Sequence, residues 1–183
     1  MKIAVVGKGN VGGGLADRWE RAGHDVTRFG SEGGDISDAE AVLLAVPGGA
    51  VPDAFEKVRG YEGKTFVDAT NLFGVEPPTG FESNAQFVKS KTNGPTAKSF
   101  NLNFARVYDQ IGSQRTKPGN IWTGDEDAKE VVEQLIRDAG YDPVYAGAID
   151  RASLQESAIQ LLFGINQAGL GPFFYRFAAP GEL

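Results

Sequence analysis

The chain contains no cysteine and a single histidine among its 183 residues. Without cysteine there is no disulfide and no thiolate metal ligand, and the redox state of the compartment cannot be read from the sequence. We therefore predict no metal site, and no side chain that acts as a catalytic nucleophile or strong base.

The chain also has no excess of basic residues, and its formal net charge is −6. Nucleic-acid binding usually needs a basic face, so we expect no nucleic-acid partner. No stretch of about 18 apolar residues is present, and the opening residues, MKIAVVGKGN, reach a glycine before an apolar signal-peptide core is long enough. We therefore expect a cytoplasmic protein with no membrane partner.

The composition that remains suits a globular domain. Hydrophobic residues make up 41% of the chain, which is enough for a packed core, and the length is typical of one domain. We predict a single domain over residues 1–183, with a sheet and helices over 1–149 and a C-terminal helix and tail over 150–183.

Short apolar runs predict the strands. The first run, over 2–6, is rich in β-branched residues and indicates a strand buried on both faces, as in parallel sheets. Only about nine residues separate the second run from the third, too few for a helical crossover, so we expect a short strand around Asp35–Ile36. Further strands are predicted over 24–30, 39–47, 64–70, 97–104, 120–124 and 142–147.

Helical spacing of apolar residues predicts the helices. One starts at Asn10 and is ended by Gly23, and a long last helix starts near Asp150. Helices are also predicted over 51–59 and 125–139, and long loops over 71–84 and 108–119. The alternation of strands and helices predicts an α/β fold, a doubly wound and mostly parallel sheet of the Rossmann type with a C-terminal helical extension.

The first strand is followed by a glycine-rich stretch that matches the G-x-G-x-x-G pattern. The pattern is weak alone, but here a strand precedes it and a helix follows it, as a dinucleotide site requires. The first glycine permits the tight turn, the second lets the backbone approach a pyrophosphate, and the third lets the helix pack on the sheet. The predicted dinucleotide-binding residues of this stretch are Gly7, Lys8, Gly9, Asn10, Val11 and Gly12.

Two further glycines, Gly13 and Gly14, extend this run beyond the pattern. Glycine inside a helix costs on the order of 1 kcal/mol relative to alanine. We expect these two residues to leave room for a second body over the helix start, either a substrate ring or the C-terminal segment.

The end of the second strand bears on which dinucleotide binds. An acidic residue there is typical of NAD sites, whereas NADP sites carry cationic and hydroxyl groups. Lys8, Arg28 and Ser31 would surround a 2′-phosphate, while Glu32 and Asp35 favour a free ribose. We predict NADP as the cofactor, with NAD as the alternative.

Several stretches together resemble one family: residues 1–26, LLAVP at 43–47, VDATN at 67–71, AKSFNLNFA at 97–105 and GLGPFFYRFA at 169–178. It is the family of small NADPH-dependent reductases typified by the coenzyme F420-dependent NADP oxidoreductase; the cytosolic domains of membrane ferric reductases look similar. The resemblance covers nearly the whole chain. Family members often carry arginine after the serine that ends the second strand, where this chain has Glu32.

The resemblance implies a nicotinamide that lies across the carboxyl ends of the strands. Ala45, Val46 and Pro47 would then border the dinucleotide. Thr70 and Asn71 would lie near the nicotinamide ribose or carboxamide.

The same resemblance implies a deazaflavin (coenzyme F420) or a flavin as the co-substrate, stacked on the nicotinamide. Asn101, Asn103 and Phe104 would line the substrate side. The C-terminal segment would close the pocket with Gly169, Gly171 and Pro172.

Hydride transfer between two rings needs position and excluded water rather than a nucleophile. The resemblance therefore implies an NADPH-linked oxidoreductase that acts on a small-molecule electron carrier, and we expect a homodimer. A locally basic edge formed by Lys98, Arg106, Arg115 and Lys117 would meet an acidic tail on such a carrier, the alternative being a solvated loop.

Two other functions stay open from the sequence. One is a reductase of another small carbonyl or imine substrate, although those families usually add a large helical domain with a catalytic lysine or acid. The other is a dinucleotide-sensing or interaction module without catalysis.

Overall fold

The computed structural model describes residues 1–181; residues 182 and 183, the end of the predicted tail, lie outside that range. The strands are β1 (Lys2–Val6), β2 (Asp25–Phe29), β3 (Gly34–Asp35), β4 (Ala41–Leu44), β5 (Val58–Arg59), β6 (Thr65–Asp68), β7 (Thr96–Lys98), β8 (Gly119–Gly124) and β9 (Asp142–Tyr145). The α-helices are α1 (Asn10–Arg21), α2 (Val51–Lys57), α3 (Asn84–Thr92), α4 (Lys129–Asp138) and α5 (Ala152–Ile165), and a 3₁₀ segment spans Ala105–Ser113.

Seven strands form one sheet in the order β2-β1-β4-β6-β7-β8-β9, and β3 pairs with β5 in a separate two-stranded sheet. Neighbours in the large sheet run parallel except β7 and β8. Because β1 has β2 on one side and β4 on the other, the direction of winding reverses between β1 and β4. The predicted doubly wound, mostly parallel sheet is confirmed, and so is the short strand near Asp35.

Each face of the sheet carries its own core, because side chains alternate along a strand. Ile3 and Val5 of β1 pack with Leu15 and Trp19 of α1 and with α4. The intervening residues of β1 pack on the opposite face, against α2 and α3. α5 lies against β7 and β8. No helix within residues 1–181 is long and apolar enough to cross a bilayer.

Helix α3 is the largest element that the apolar spacing did not predict. Its apolar residues are too few to form a clear stripe, so the sequence signal lies at its ends. The Ser83 hydroxyl accepts a hydrogen bond from Gln86 N, at 3.2 Å, and caps the first turn. Asn93 ends the helix in the left-handed conformation, with φ 49°. The S-x-x-Q spacing and the Asn-Gly that follows are the local features that indicate this helix.

The strand predicted over 97–104 ends at Lys98. Phe100 has a positive φ of 63°, which turns the chain out of the sheet. Asn120 holds this turn, since its Oδ1 accepts a hydrogen bond from the Ser99 hydroxyl at 2.7 Å. Residues 101–104 thereby leave the sheet and lie beside its carboxyl edge.

Gly13 and Gly14, at the start of α1, have different surroundings in the structure. A Cβ on Gly14 would lie 2.7 Å from the ring of Tyr108, which the 3₁₀ segment packs against the helix. A Cβ on Gly13 would meet nothing closer than Lys8 O, at 3.5 Å. The expectation for Gly14 therefore needs correction: the body that it admits is Tyr108, rather than a substrate ring or the C-terminal segment.

Alanine substitutions at these two positions are expected to change stability in opposite directions. Gly13→Ala should raise the free energy of unfolding by about 0.5–1 kcal/mol, because it removes the entropic cost of glycine without a clash. Gly14→Ala should lower it by about 1–3 kcal/mol, because Tyr108 has to move. Urea denaturation of both variants checks this, and an equal change in both would contradict the packing role of Gly14.

Candidate functional site

The glycine loop lies at the point where the winding of the sheet reverses, between the carboxyl ends of β1 and β4. Gly7 has a φ of 115° and donates its backbone N–H to Phe29 O at 2.8 Å. A Cβ on Gly7 would overlap Ala45 O, and a Cβ on Gly12 would overlap Gly7 O. Glycine at these two positions is therefore required by the close approach of α1, the loop and β4.

The start of α1 has the features of an anion site. Gly9 is the N-cap residue, no side chain caps the helix, and the first turn contains no acidic residue. The backbone N–H groups of the first turn and the positive end of the helix dipole are therefore available to a phosphate. A Cβ on Gly9 would have no protein atom within 4 Å. Glycine is not needed there for protein packing, so the residues present fit a pyrophosphate bound close to the backbone.

Three cavities follow one another along the carboxyl edge of the sheet. The first cavity, of about 390 Å³, lies between the glycine loop, the end of β2 and α2. The second cavity, of about 170 Å³, lies between Val11, the segment after β4 and the segment after β6. The third cavity, of about 140 Å³, lies between the segments after β6 and β7 and helix α5. Val11, Ala69, Asn71 and Phe73 line both the second and the third cavity.

Most of the predicted site residues line these cavities. Gly7, Lys8, Gly9, Ser31, Ala45, Val46 and Pro47 line the first cavity. Val11, Ala45, Val46, Pro47, Thr70 and Asn71 line the second. Asn71, Asn101, Asn103 and Phe104 line the third. The structure thus brings most of the predicted dinucleotide and substrate residues into one cleft, while their roles stay predictions; Asn10 and Gly12 line none of the three cavities.

The C-terminal residues predicted to close the pocket lie elsewhere. Gly169, Gly171 and Pro172 line none of the three cavities. The chain after them runs back along β8, where Tyr175 O accepts a hydrogen bond from Gly119 N at 2.6 Å. It is Phe173 that meets a predicted site residue, with its ring centroid 5.1 Å from that of Phe104.

Arg28 is the predicted phosphate ligand that the structure does not bring into the cleft. Its guanidinium lies 2.6 Å from Asp17 Oδ1 and 2.6 Å from Glu20 Oε1, both on α1. The hydrogen bond that Arg28 donates to Glu20 is the main cause of a raised Arg28 pKa, and both carboxylates favour the charged guanidinium. Two carboxylates therefore hold this cation on the outer side of α1.

The asparagines of the third cavity hold one another. Asn71 Nδ2 donates to Asn101 O at 3.0 Å, and Asn101 Nδ2 donates to Asn71 Oδ1 at 3.1 Å. Gln155 of α5 donates to Asn101 Oδ1 at 2.8 Å. Asn103 donates to Gly119 O and accepts from the Tyr175 hydroxyl. These amides are fixed in orientation by the fold, which favours a role in shaping the cavity over free adjustment to a ligand.

A fully buried lysine lies beneath the site. Lys98 Nζ donates to Asp68 Oδ2 and to Thr70 O, each at 2.9 Å, and lies 2.7 Å from Glu156 Oε1. Asp68 Oδ1 accepts from Thr70 N at 2.9 Å, so this carboxylate orients the segment after β6. Lys98 has no exposed surface. It therefore does not belong to the predicted basic edge, which is a correction of that expectation.

Phe73, Ile159 and Phe163 are among the apolar residues of the cleft that sequence reasoning missed. Phe73 and Phe163 meet edge to face, with centroids 5.5 Å apart, although both are largely exposed. Phe73 falls in a loop without periodicity, so no pattern indicates it. Phe163 lies one turn after Ile159 on the face of α5 that also buries Gln155 and Glu156, and because this face is partly polar no apolar stripe indicates it.

Alanine at Gly9 is expected to separate ligand binding from folding. Gly9→Ala should change the free energy of unfolding by less than about 0.5 kcal/mol, because the new methyl group meets no protein atom. Dinucleotide affinity should fall by about tenfold or more, because the methyl group stands where the pyrophosphate approaches the backbone.

Gly12→Ala is the matched comparison, since its methyl group would overlap Gly7 O. This variant should lose stability as well as binding. Thermal denaturation and titration calorimetry with NADH and NADPH check both variants, and unchanged affinity in Gly9→Ala would contradict the phosphate site.

The buried ion cluster predicts a dependence of stability on pH. Burial raises the pKa of Glu156, although the Lys98 ammonium acts in the opposite direction. The folded state therefore holds this proton more tightly than the unfolded state, and stability is lost as pH rises through the raised pKa. Glu156→Gln lacks this titration. Its free energy of unfolding relative to the wild type should increase from about pH 4.3, the ordinary value for glutamate, towards neutrality, whereas parallel pH profiles in urea denaturation would contradict the assignment.

No protein-family model matches the chain, and no curated protein matches it. Several solved structures match the chain. A protein from Arthrobacter sp. FB24, provisionally assigned as an F420-dependent NADP reductase, is 22% identical and superposes with a TM-score of 0.77, over 98% of this chain and 100% of its own. A hypothetical protein from Sinorhizobium meliloti is 23% identical, with a TM-score of 0.65 over 84% of this chain and 88% of its own.

A larger enzyme shares the fold over part of its length. The reductive aminase from Aspergillus terreus, solved with NADPH and ethyl levulinate, is 16% identical with a TM-score of 0.67, over 92% of this chain and 63% of its own. The resemblance recognised in the sequence is therefore confirmed as a likeness of fold: the chain has the Rossmann-type fold of these reductases and matches the small Arthrobacter protein over nearly its entire length.

Proposed function

We propose that the protein is an oxidoreductase that transfers a hydride between a nicotinamide dinucleotide and an electron carrier of the deazaflavin or flavin type. The observation that carries this proposal is the continuity of the cleft. Val11, Ala69, Asn71 and Phe73 line the second and the third cavity alike. A ring bound in the third cavity therefore shares a wall with a group bound in the second.

The third cavity has the character that hydride transfer requires. Its wall is largely apolar, with Phe100, Leu102, Phe104, Ile159 and Phe163 among its residues. An apolar wall excludes water and packs against the face of a flat ring. The dinucleotide, when bound, supplies or accepts the hydride; the chain binds and orients the two partners and keeps water from them.

The choice of carrier rests on the sequence resemblance and on the provisional assignment of the Arthrobacter protein. In the direction of carrier reduction, the dinucleotide loses a hydride, and the carrier gains that hydride and one proton from solvent. NADP(H) is the dinucleotide predicted from the sequence, and NAD(H) is the alternative.

The direct test mixes the purified protein with NADPH and coenzyme F420 and follows both absorption bands. The assay is repeated with NADH, and with FMN as the acceptor. Coupled loss of the dinucleotide and carrier bands supports the proposal. Dinucleotide binding without turnover on either acceptor would contradict it, and would favour the sensing or interaction module.

The predicted homodimer stays a proposal, and the surface of α5 supports it. Leu154 and Leu161 of this helix, and Leu170 just beyond it, are each more than 60% exposed. Leu154 and Leu161 are seven residues apart and therefore lie on one face of α5, and exposed apolar side chains that share a face favour a contact surface. Light scattering should report a mass of two chains, and a mass of one chain would contradict the dimer.

Two alanine substitutions on α5 allow a matched test of the carrier site. Phe163→Ala should raise the KM for the carrier about 3–10-fold, the range expected for loss of one aromatic contact. Gln160→Ala removes an exposed side chain of the same helix that lines none of the three cavities and lies outside the proposed dimer contact. Steady-state kinetics should show no change in the KM for the carrier in Gln160→Ala, and dinucleotide affinity should be unchanged in both variants. Equal effects of the two substitutions would contradict the assignment of the third cavity.

A further inference from the structure

The charges at the end of β2 decide which dinucleotide the first cavity accepts. Gly30, Ser31 and Gly33 form the wall of this cavity that follows β2. In folds of this kind the adenosine ribose lies at that end of the second strand. A 2′-phosphate there requires cationic side chains that are free to meet it.

The two cations predicted for this purpose are already paired with carboxylates. Arg28 is held by Asp17 and Glu20 on the outer side of α1. Lys8 Nζ lies 3.0 Å from Glu32 Oε1. A 2′-phosphate would therefore have to displace a carboxylate before it could meet either cation.

Glu32 is held at this position by more than Lys8. Its Oε1 also accepts a hydrogen bond from Gly30 N at 3.0 Å. A Cβ on residue 30 would overlap the Glu32 carboxylate, so glycine at this position lets the side chain fold back over the end of β2. Its own backbone N–H, the Lys8 ammonium and the Gly30 N–H lower the pKa of Glu32 to about 2, so the carboxylate is charged at neutral pH.

The other charged side chains of the first cavity do not make up for the pairing of Arg28 and Lys8 with carboxylates. Asp53 and Lys57, both of α2, line it together with Lys8. Glu32 does not itself line this cavity, but it pairs with Lys8, which does. The four side chains together carry two positive and two negative charges. They thus offer no excess of positive charge to a 2′-phosphate, while the exposed Glu32 carboxylate retains acceptor capacity for a hydroxyl group.

We propose that Glu32 makes the protein selective for NAD(H) over NADP(H), by accepting a hydrogen bond from the free ribose and repelling the 2′-phosphate. This inference rests on the proposed function, since it names the dinucleotide of the same site. It reverses the preference predicted from the sequence, because the structure pairs Arg28 and Lys8 with carboxylates.

The test measures binding of NADH and NADPH separately by titration calorimetry at low ionic strength. The wild type should bind NADH about tenfold or more tightly than NADPH, the scale expected for one charge repulsion near a protein surface. Glu32→Ser should tighten NADPH binding and weaken NADH binding, so that the preference for NADH over NADPH becomes smaller. Glu32→Gln, which removes the charge but keeps the shape, should tighten NADPH binding with a smaller loss for NADH.

Glu126→Ser is the matched control. Glu126 is an exposed glutamate paired with Lys129 at 3.6 Å, and Lys129 lines none of the three cavities, whereas Lys8, the partner of Glu32, lines the first. The substitution makes the same change in net charge and should leave the ratio of affinities unaltered. Tighter binding of NADPH by the wild type, or an unchanged ratio in Glu32→Ser, would overturn this inference and leave the proposed function standing. Failure of both dinucleotides to bind would overturn the proposed function and this inference with it.

Discussion

The close approach of α1, the glycine loop and β4 is the constraint on which the site depends. Gly12 stands against the backbone of Gly7, and Gly7 stands against the backbone of Ala45, with no space for a methyl group at either contact. This packing fixes the start of α1 directly above the carboxyl edge of the sheet. The uncapped N–H groups of the first turn and the positive end of the helix dipole are thereby held at this edge, where they can serve as an anion site.

A second set of interactions joins α5 to the same edge. Gln155 donates to Lys98 O, Ile121 O and Asn101 Oδ1, and its own Oε1 accepts from the Thr123 hydroxyl. The next residue of α5, Glu156, pairs with the buried Lys98. Buried polar groups of this kind are costly unless every partner is present. The helix that supplies Ile159 and Phe163 to the cleft is therefore held in one position by polar contacts, as well as by packing.

The sequence predicted the fold and the glycine loop between β1 and α1 because both follow from local patterns. A buried strand, a glycine turn and an amphipathic helix can each be recognised without knowledge of the rest of the chain. The order of apolar runs then limits the topology to a doubly wound sheet. Helix α3 escaped prediction because it lacks an apolar stripe, and only its Ser83 cap and Asn93 stop indicate it.

The ion-pair partners of the charged side chains in the site could not be predicted from local sequence patterns. Arg28, Lys8 and Lys98 are equally basic in the sequence, yet the structure gives them three different partners. Arg28 pairs with α1, Lys8 with Glu32, and Lys98 with two buried carboxylates from distant segments. Which charge faces a ligand depends on contacts between residues far apart in the chain, and no local pattern reports them. The preference between NAD and NADP is therefore a property of the folded site.

The most direct test of the central claim, that one continuous cleft brings a nicotinamide and a carrier ring into contact, is an isotope-transfer measurement. NADH and NADPH deuterated at both C4 positions would each be incubated with the protein and a deazaflavin, and the reduced carrier would be examined by mass spectrometry. Direct contact predicts one deuterium in the reduced carrier, bound to carbon and not exchanged with solvent. A reduced carrier that contains only solvent hydrogen, or no reduction by either dinucleotide, would contradict the account.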